Sequence, residues 1–96
     1  MSEIQIKDLK NKIIKSVSAV PGLVGLNLDE SDSNHNNEGI QILETSRGYQ
    51  IQIFIISSIN VRAEIVSKEV SSSIKNLASK NNIQIENINI FIREVK

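Results

Sequence analysis

Apolar and polar positions along the chain follow two periods in alternation. Ile4-Gln5-Ile6 alternates with period two and predicts a short opening strand. Leu9, Ile13, Ile14 and Val17 then share one helical face and predict a first helix over residues 8–19. Asp8 suits its cap or first turn, where a negative charge meets the positive helix end. Pro21 and Gly22 end that helix, because proline cannot extend the hydrogen-bond ladder and glycine takes positive φ without steric cost. Leu23-Val24-Gly25-Leu26 packs back after the turn. Residues 29–38 hold no apolar side chain, so they cannot bury enough surface to offset the entropy of ordering and predict a flexible polar loop.

From Ile40 the period becomes two. Ile40 and Ile42 precede a turn at Ser46-Arg47-Gly48, and Tyr49, Ile51, Ile53 and Ile55 follow in alternation, which predicts a β-hairpin with Gly48 supplying positive φ. Val61, Ile65, Val66, Val70, Ile74, Leu77 and Ala78 return to helical spacing and predict a second helix, capped by Ser58 or Asn60 and ending near Lys80. Asn81-Asn82 closes it, since asparagine tolerates the left-handed conformation. The tail alternates again, but Ile83 and Ile85 have the opposite parity to Ile88, Ile90 and Ile92. One residue near Glu86-Asn87 must be absorbed by a bulge, and the closing strand is expected over Ile88 to Arg93.

These elements predict an α+β fold: a small two-layer sandwich in the order (short β)-α-β-β-α-β, with a three-stranded mixed sheet packed against helices. The crossover from the hairpin to the closing strand lays the second helix across one sheet face. Parity puts Ile40, Ile42, Ile51, Ile53, Ile55, Ile88, Ile90 and Ile92 on that face. The reverse carries Gln41, Leu43, Thr45, Gln50, Gln52, Phe54, Ile56, Asn89, Phe91 and Arg93, including both phenylalanines of the chain and almost no charge. An ordinary solvated face would be rich in Lys and Glu. Two readings stay open: the first helix covers part of this face, or the face is an exposed, aromatic-centred patch for protein association, with Leu43, Phe54, Ile56 and Phe91 as its contact surface.

Composition narrows the function. The 96 residues suffice for a single domain over 1–96, and eighteen Ile with seven Val make its core mostly β-branched. Eleven basic residues balance eleven acidic ones, so the chain lacks the basic field that non-specific nucleic-acid binding needs. The absence of cysteine removes disulfides, thiolate metal sites and a thiol nucleophile. No apolar run is long enough to cross a membrane and no secretory pattern opens the chain, so a cytoplasmic protein without direct membrane insertion is expected.

Candidate chemistry is sparse. His35, the sole histidine, stands in the polar loop near Asp29, Glu30, Asp32 and Glu38, at spacings that fit neither a calcium loop nor a zinc site. No phosphate-binding loop, dinucleotide fingerprint or serine elbow occurs, and the thirteen serines have no positioned base, so no enzyme activity, metal or cofactor is expected. Gly22-Leu23-Val24-Gly25 matches the bare G-x-x-G of KH nucleic-acid-binding domains, but with Leu and Val where such loops carry basic or polar residues. Helix termination and packing account for it better.

The ordered motifs are Ile4-Gln5-Ile6, the amphipathic run from Leu9 to Val20, the turn Pro21-Gly22-Leu23-Val24-Gly25-Leu26, and the closing segment Ile83-Gln84-Ile85-Glu86-Asn87-Ile88-Asn89-Ile90-Phe91-Ile92. Over about residues 4–92 they resemble the alkaline-shock, or envelope stress response, family of low-GC Gram-positive bacteria and mollicutes. Pro21, Gly22, Gly25, Ile88, Asn89 and Ile90 fall on that family's motif positions, and the parity switch is the family's own spacing. Ser57-Ser58 stands where the family carries an aromatic-glycine pair, and Asn81-Asn82 where it carries Thr-Gly. The resemblance implies a non-enzymatic protein of envelope homeostasis. It would self-associate, lie peripheral to the inner face of the cytoplasmic membrane, and be held there by a membrane-anchored relative. An accessory role beside a kinase-like protein of fatty-acid metabolism is the alternative it leaves.

Overall fold

A computed structural model describes residues 3–26 and 39–96; the expected flexible loop at 29–38, with His35, lies outside the described residues. The elements run α1 (Glu3–Val17), β1 (Leu23–Leu26), β2 (Ile40–Thr45), β3 (Gly48–Ser57), α2 (Ala63–Lys80) and β4 (Ile85–Val95). The α+β two-layer architecture is as expected.

The opening strand is not present, because Ile4-Gln5-Ile6 belongs to α1. Three alternating residues fit either period. Ile6 stands three positions before Leu9, so the helical conformation lets it join Leu9, Ile13 and Val17 against the core. The helix therefore begins and ends earlier than residues 8–19.

The sheet has four strands rather than three, the added one being Leu23–Leu26. β3 is its spine. Its N-terminal half pairs antiparallel with β2, from Thr45↔Gly48 to Ile40↔Ile53. On the same edge its C-terminal end pairs antiparallel with β1, through Gly25↔Ile56 and Leu26↔Ile55. The opposite edge of β3 pairs parallel with β4, from Tyr49↔Ile85 to Ser57↔Val95. An irregularity between Leu23 and Gly25 sets Val24 and Gly25 together opposite Ile56 and lets both Leu23 and Leu26 reach the core.

The expected bulge near Glu86-Asn87 is present: Ile85 pairs with Tyr49 and Asn87 with Gln50, leaving Glu86 as the extra residue. A second irregularity falls at Arg93, between Ile92↔Ile55 and Glu94↔Ile56. Absorbing both lets the strand continue beyond the expected Ile88–Arg93 at each end. In the hairpin, Gly48 takes φ +127°. The second helix starts later than either expected cap. Arg62 stands at its N-cap without a side-chain cap, while the Ser58 hydroxyl accepts from the Asn60 amide at 3.1 Å in the preceding turn. The C-terminal stop is as expected: Asn81 Nδ2 donates to the Leu77 carbonyl at 2.8 Å, and Asn82 adopts φ +54°.

Both helices lie on one face of the sheet. Ile13 of α1, Val66, Val70 and Ile74 of α2, and Ile40, Ile51, Ile53 and Ile55 of the sheet form one buried cluster. Each fully buried isoleucine contributes ~1.5–3 kcal/mol of transfer free energy, so this face is what the fold is built on. Gly22 joins the layers, with φ +88° and the Val61 and Val66 side chains packed where a Cβ would stand.

Candidate interaction surface

The reverse face of the sheet is bare of helices among the described residues, because α1 packs in the same layer as α2. Of the two readings open in the sequence, coverage by the first helix is therefore ruled out. A Cβ built at Gly25, opposite Ile56, meets no described residue within 4 Å.

Alternation along β3 and β4 positions the face. Register pairs Gln50 with Asn87, Gln52 with Asn89 and Phe54 with Phe91, while β2 sets Leu43 beside Gln50. Phe54 and Phe91 stack with ring centroids 5.1 Å apart and planes 19° from parallel. The Arg93 guanidinium carbon stands 4.8 Å from the Phe54 ring centroid. Leu43 is 62% exposed and Phe91 43%, while Phe54 and Ile56 are half-buried. The four expected contact residues thus share one face. Leu43 lies toward one end, away from the Phe54, Ile56 and Phe91 group.

Charge on this face is sparse but ordered. The bulge turns Glu86 to the same side as Asn87, where its Oε2 accepts from the Thr45 hydroxyl at 2.7 Å and from Gln50 Nε2 at 3.2 Å. Alternation alone missed this carboxylate, although the parity switch at Glu86-Asn87 marks where an extra residue must go. Asn89 Nδ2 lies 3.4 Å from Asn87 Oδ1, completing a polar row beside the rings. Glu86 at one end, Arg93 with Glu94 (the register partner of Ile56) at the other, and amides with aromatics between them make up the described open face.

The remaining candidates are placed elsewhere. Gly22 sits in the turn before β1 and Gly25 within β1, paired with Ile56, so the G-x-x-G segment is a turn and a strand rather than a loop between two helices. Ile88 and Ile90 lie half-buried on the helix side and Asn89 on the open side, as the parity expects. No group of three or more His, Cys, Asp or Glu side chains comes together among the described residues. A shallow groove of about 280 Å³ runs between the end of α1 and α2, lined in part by Ser16, Val20, Glu69 and Ser73. No described helix is long and apolar enough to cross a membrane.

No known family profile matches the chain, and no characterised protein matches it by sequence. Solved structures do match in fold. A MamM CTD variant superposes with a TM-score of 0.68 at 13% identity, over 96% of this chain and 98% of that one. A zinc form of another MamM CTD variant gives 0.70 at 12% identity, over 96% and 88%. A MamM CTD spanning residues 215–293 gives 0.66 at 13% identity, over 93% and 98%. At such identities the likeness is one of fold.

Proposed function

We propose that this chain is a non-catalytic, self-associating interaction module of the alkaline-shock, envelope-stress type, which docks through the open face of its sheet. The observation that carries this reading is that face: uncovered by either helix, centred on the stacked Phe54 and Phe91 rings, and extended by exposed Leu43. A solvated sheet face gains nothing from aromatic and branched side chains, whereas burying them against a second molecule contributes about 25 cal/mol per Å² of apolar area.

The envelope role rests on the resemblance of the Pro21 to Leu26 turn and the Ile83 to Ile92 segment to that family. On this reading the protein works at the inner face of the cytoplasmic membrane. It is held there by a membrane-anchored relative and needs no cofactor, metal or nucleic acid. The accessory role beside a kinase-like protein would use the same face.

The test is sedimentation of the full chain with Leu43→Asp and Phe54→Asp substituted together. The expected outcome is loss of assembled mass with the far-ultraviolet circular dichroism of the parent retained. An unchanged oligomeric mass in the folded double variant rejects the face. Pull-down from native cells with the face intact and altered then identifies whether the partner is membrane-anchored or kinase-like.

A further inference from the structure

β4 is a near copy of the strand it pairs with. Gln50-Ile51-Gln52-Ile53-Phe54-Ile55 of β3 lies parallel to Asn87-Ile88-Asn89-Ile90-Phe91-Ile92 of β4, residue for residue. Amide therefore stands beside amide, isoleucine beside isoleucine and phenylalanine beside phenylalanine. The Phe54 and Phe91 rings stack at 5.1 Å and 19°. Parallel, in-register stacking of like on like is the arrangement of cross-β assemblies, in which strands repeat every ~4.7–4.8 Å and amide ladders and aromatic stacks join identical side chains. A second β3 laid on the β4 side would meet the same neighbours that β4 meets now.

The two strands differ in their flanks. From Gly48 to Val61 the chain holds no charge and no proline. β4 has Glu86 before the matched stretch and Arg93 and Glu94 after it, and its register breaks at Glu86 and again at Arg93. In an in-register stack those charges would stand above their own kind and the bulges would interrupt the ladder, so β4 stops a stack that β3 would continue. In the folded chain β3 is enclosed, with β2 and β1 on one edge and β4 on the other.

We infer that β3 is a self-complementary strand for which β4 stands in as a second copy, and that opening the β3–β4 pair lets β3 strands of separate chains join in parallel, in-register stacks. The partner is another copy of this chain, because an identical strand reproduces, position by position, the pairing that β4 makes. Docking through the open face leaves the fold intact and is a separate event.

The full chain is tested under two conditions that open it: Gly22→Ala in buffer, and the parent in urea near its unfolding midpoint. Opened chains are expected to form fibres that bind thioflavin T and diffract at about 4.7–4.8 Å, while the folded parent in buffer forms none over the same period. Gln52→Lys, on the open face of β3, sets ammonium above ammonium at each repeat and is expected to lengthen the lag about tenfold or more. Gln41→Lys is the control. It adds the same charge to the same face, opposite Gln52 on β2, and is expected to leave the lag within about twofold. A spin label on Gln52→Cys, in a chain without cysteine of its own, is expected to give one exchange-narrowed line in the fibres. Absence of fibres under both opening conditions, equal slowing by the two lysines, or a label spectrum that keeps its hyperfine splitting overturns the stacking of β3. Fibres from the folded parent overturn the guarding role of β4. Leu43→Asp tells this assembly from the docking face: it is expected to lower the native assembled mass and leave the fibres unaltered. Unchanged native mass counts against the docking face alone, and suppressed fibres count against β3 as the stacking strand.

Discussion

The Phe54 ring contacts both the Phe91 ring, 5.1 Å away centroid to centroid, and the Arg93 guanidinium, whose carbon stands 4.8 Å from the Phe54 centroid. The parallel register brings this about, because it pairs Phe54 with Phe91 and leaves Arg93 on the same side at the second bulge. Stacked pairs contribute about 0.5–1.5 kcal/mol beyond their buried area. A double-mutant cycle of Phe54→Ala and Phe91→Ala, read from urea unfolding, is expected to show a coupling in that range. Coupling near zero would mean that the two rings do not act as a unit in solution.

Gly22 has a left-handed φ of +88°, and a Cβ there would stand 2.8 Å from Val66 Cγ2 and 2.9 Å from Val61 Cβ. Gly22→Ala combines backbone strain with overlap on two branched side chains, for an expected loss of about 2–4 kcal/mol. Gly25→Ala is the control. Its Cβ meets open space, so urea midpoints should separate the two variants clearly.

The Ser57 hydroxyl is fully buried and makes no hydrogen bond to the described residues. An unsatisfied buried hydroxyl costs roughly 1–3 kcal/mol. Ser57→Ala, which removes the hydroxyl and leaves a small void, is expected to leave stability unchanged or to raise it by about 1 kcal/mol in chemical denaturation. A loss above that size would show that the hydroxyl is bonded in solution.

Tyr49, the chain's one tyrosine, is held above its ordinary pKa of 10.0, first by burial and then by the charge of Glu44. Both disfavour the phenolate. Since the folded value exceeds the unfolded one, its stabilising contribution is full below pH 10.0 and is lost as pH rises through the folded value. Phenolate absorbance in the native protein should titrate later than in the urea-unfolded chain, and Tyr49→Phe should flatten the alkaline fall in stability. Coincident titrations in the two states would contradict the buried placement.

Much of this arrangement is legible in the sequence, and the parts that are share a cause. Ile51, Ile53 and Ile55 face the helices because a strand alternates its side chains. Gly48 and Asn82 adopt positive φ because their own backbone chemistry tolerates it. The displacement of Glu86 follows from counting parity between Ile85 and Ile88. Each of these is a local consequence of covalent geometry.

The parts that were not legible depend on groups distant along the chain. Ile4-Gln5-Ile6 suits either period, and burial of Ile6 with the core selected the helix. Leu23–Leu26 is too short and irregular to announce a strand, and became one because the free edge of β3 at Ile55 to Ser57 accepts it. Arg62 rather than Ser58 precedes the second helix, because residues 58–61 form a turn of their own.

Periodicity along the chain therefore determined which sheet side the aliphatic core would seal and that the other would carry Leu43, Phe54, Ile56 and Phe91. Tertiary packing decided that both helices crowd onto the sealed side, that Glu86 joins the open one, and that β4 ends the sheet with apolar side chains exposed above and below it. Alternation is imposed by neighbouring bonds within a strand. Coverage is imposed by which surfaces meet when segments far apart in sequence compete for the same apolar area.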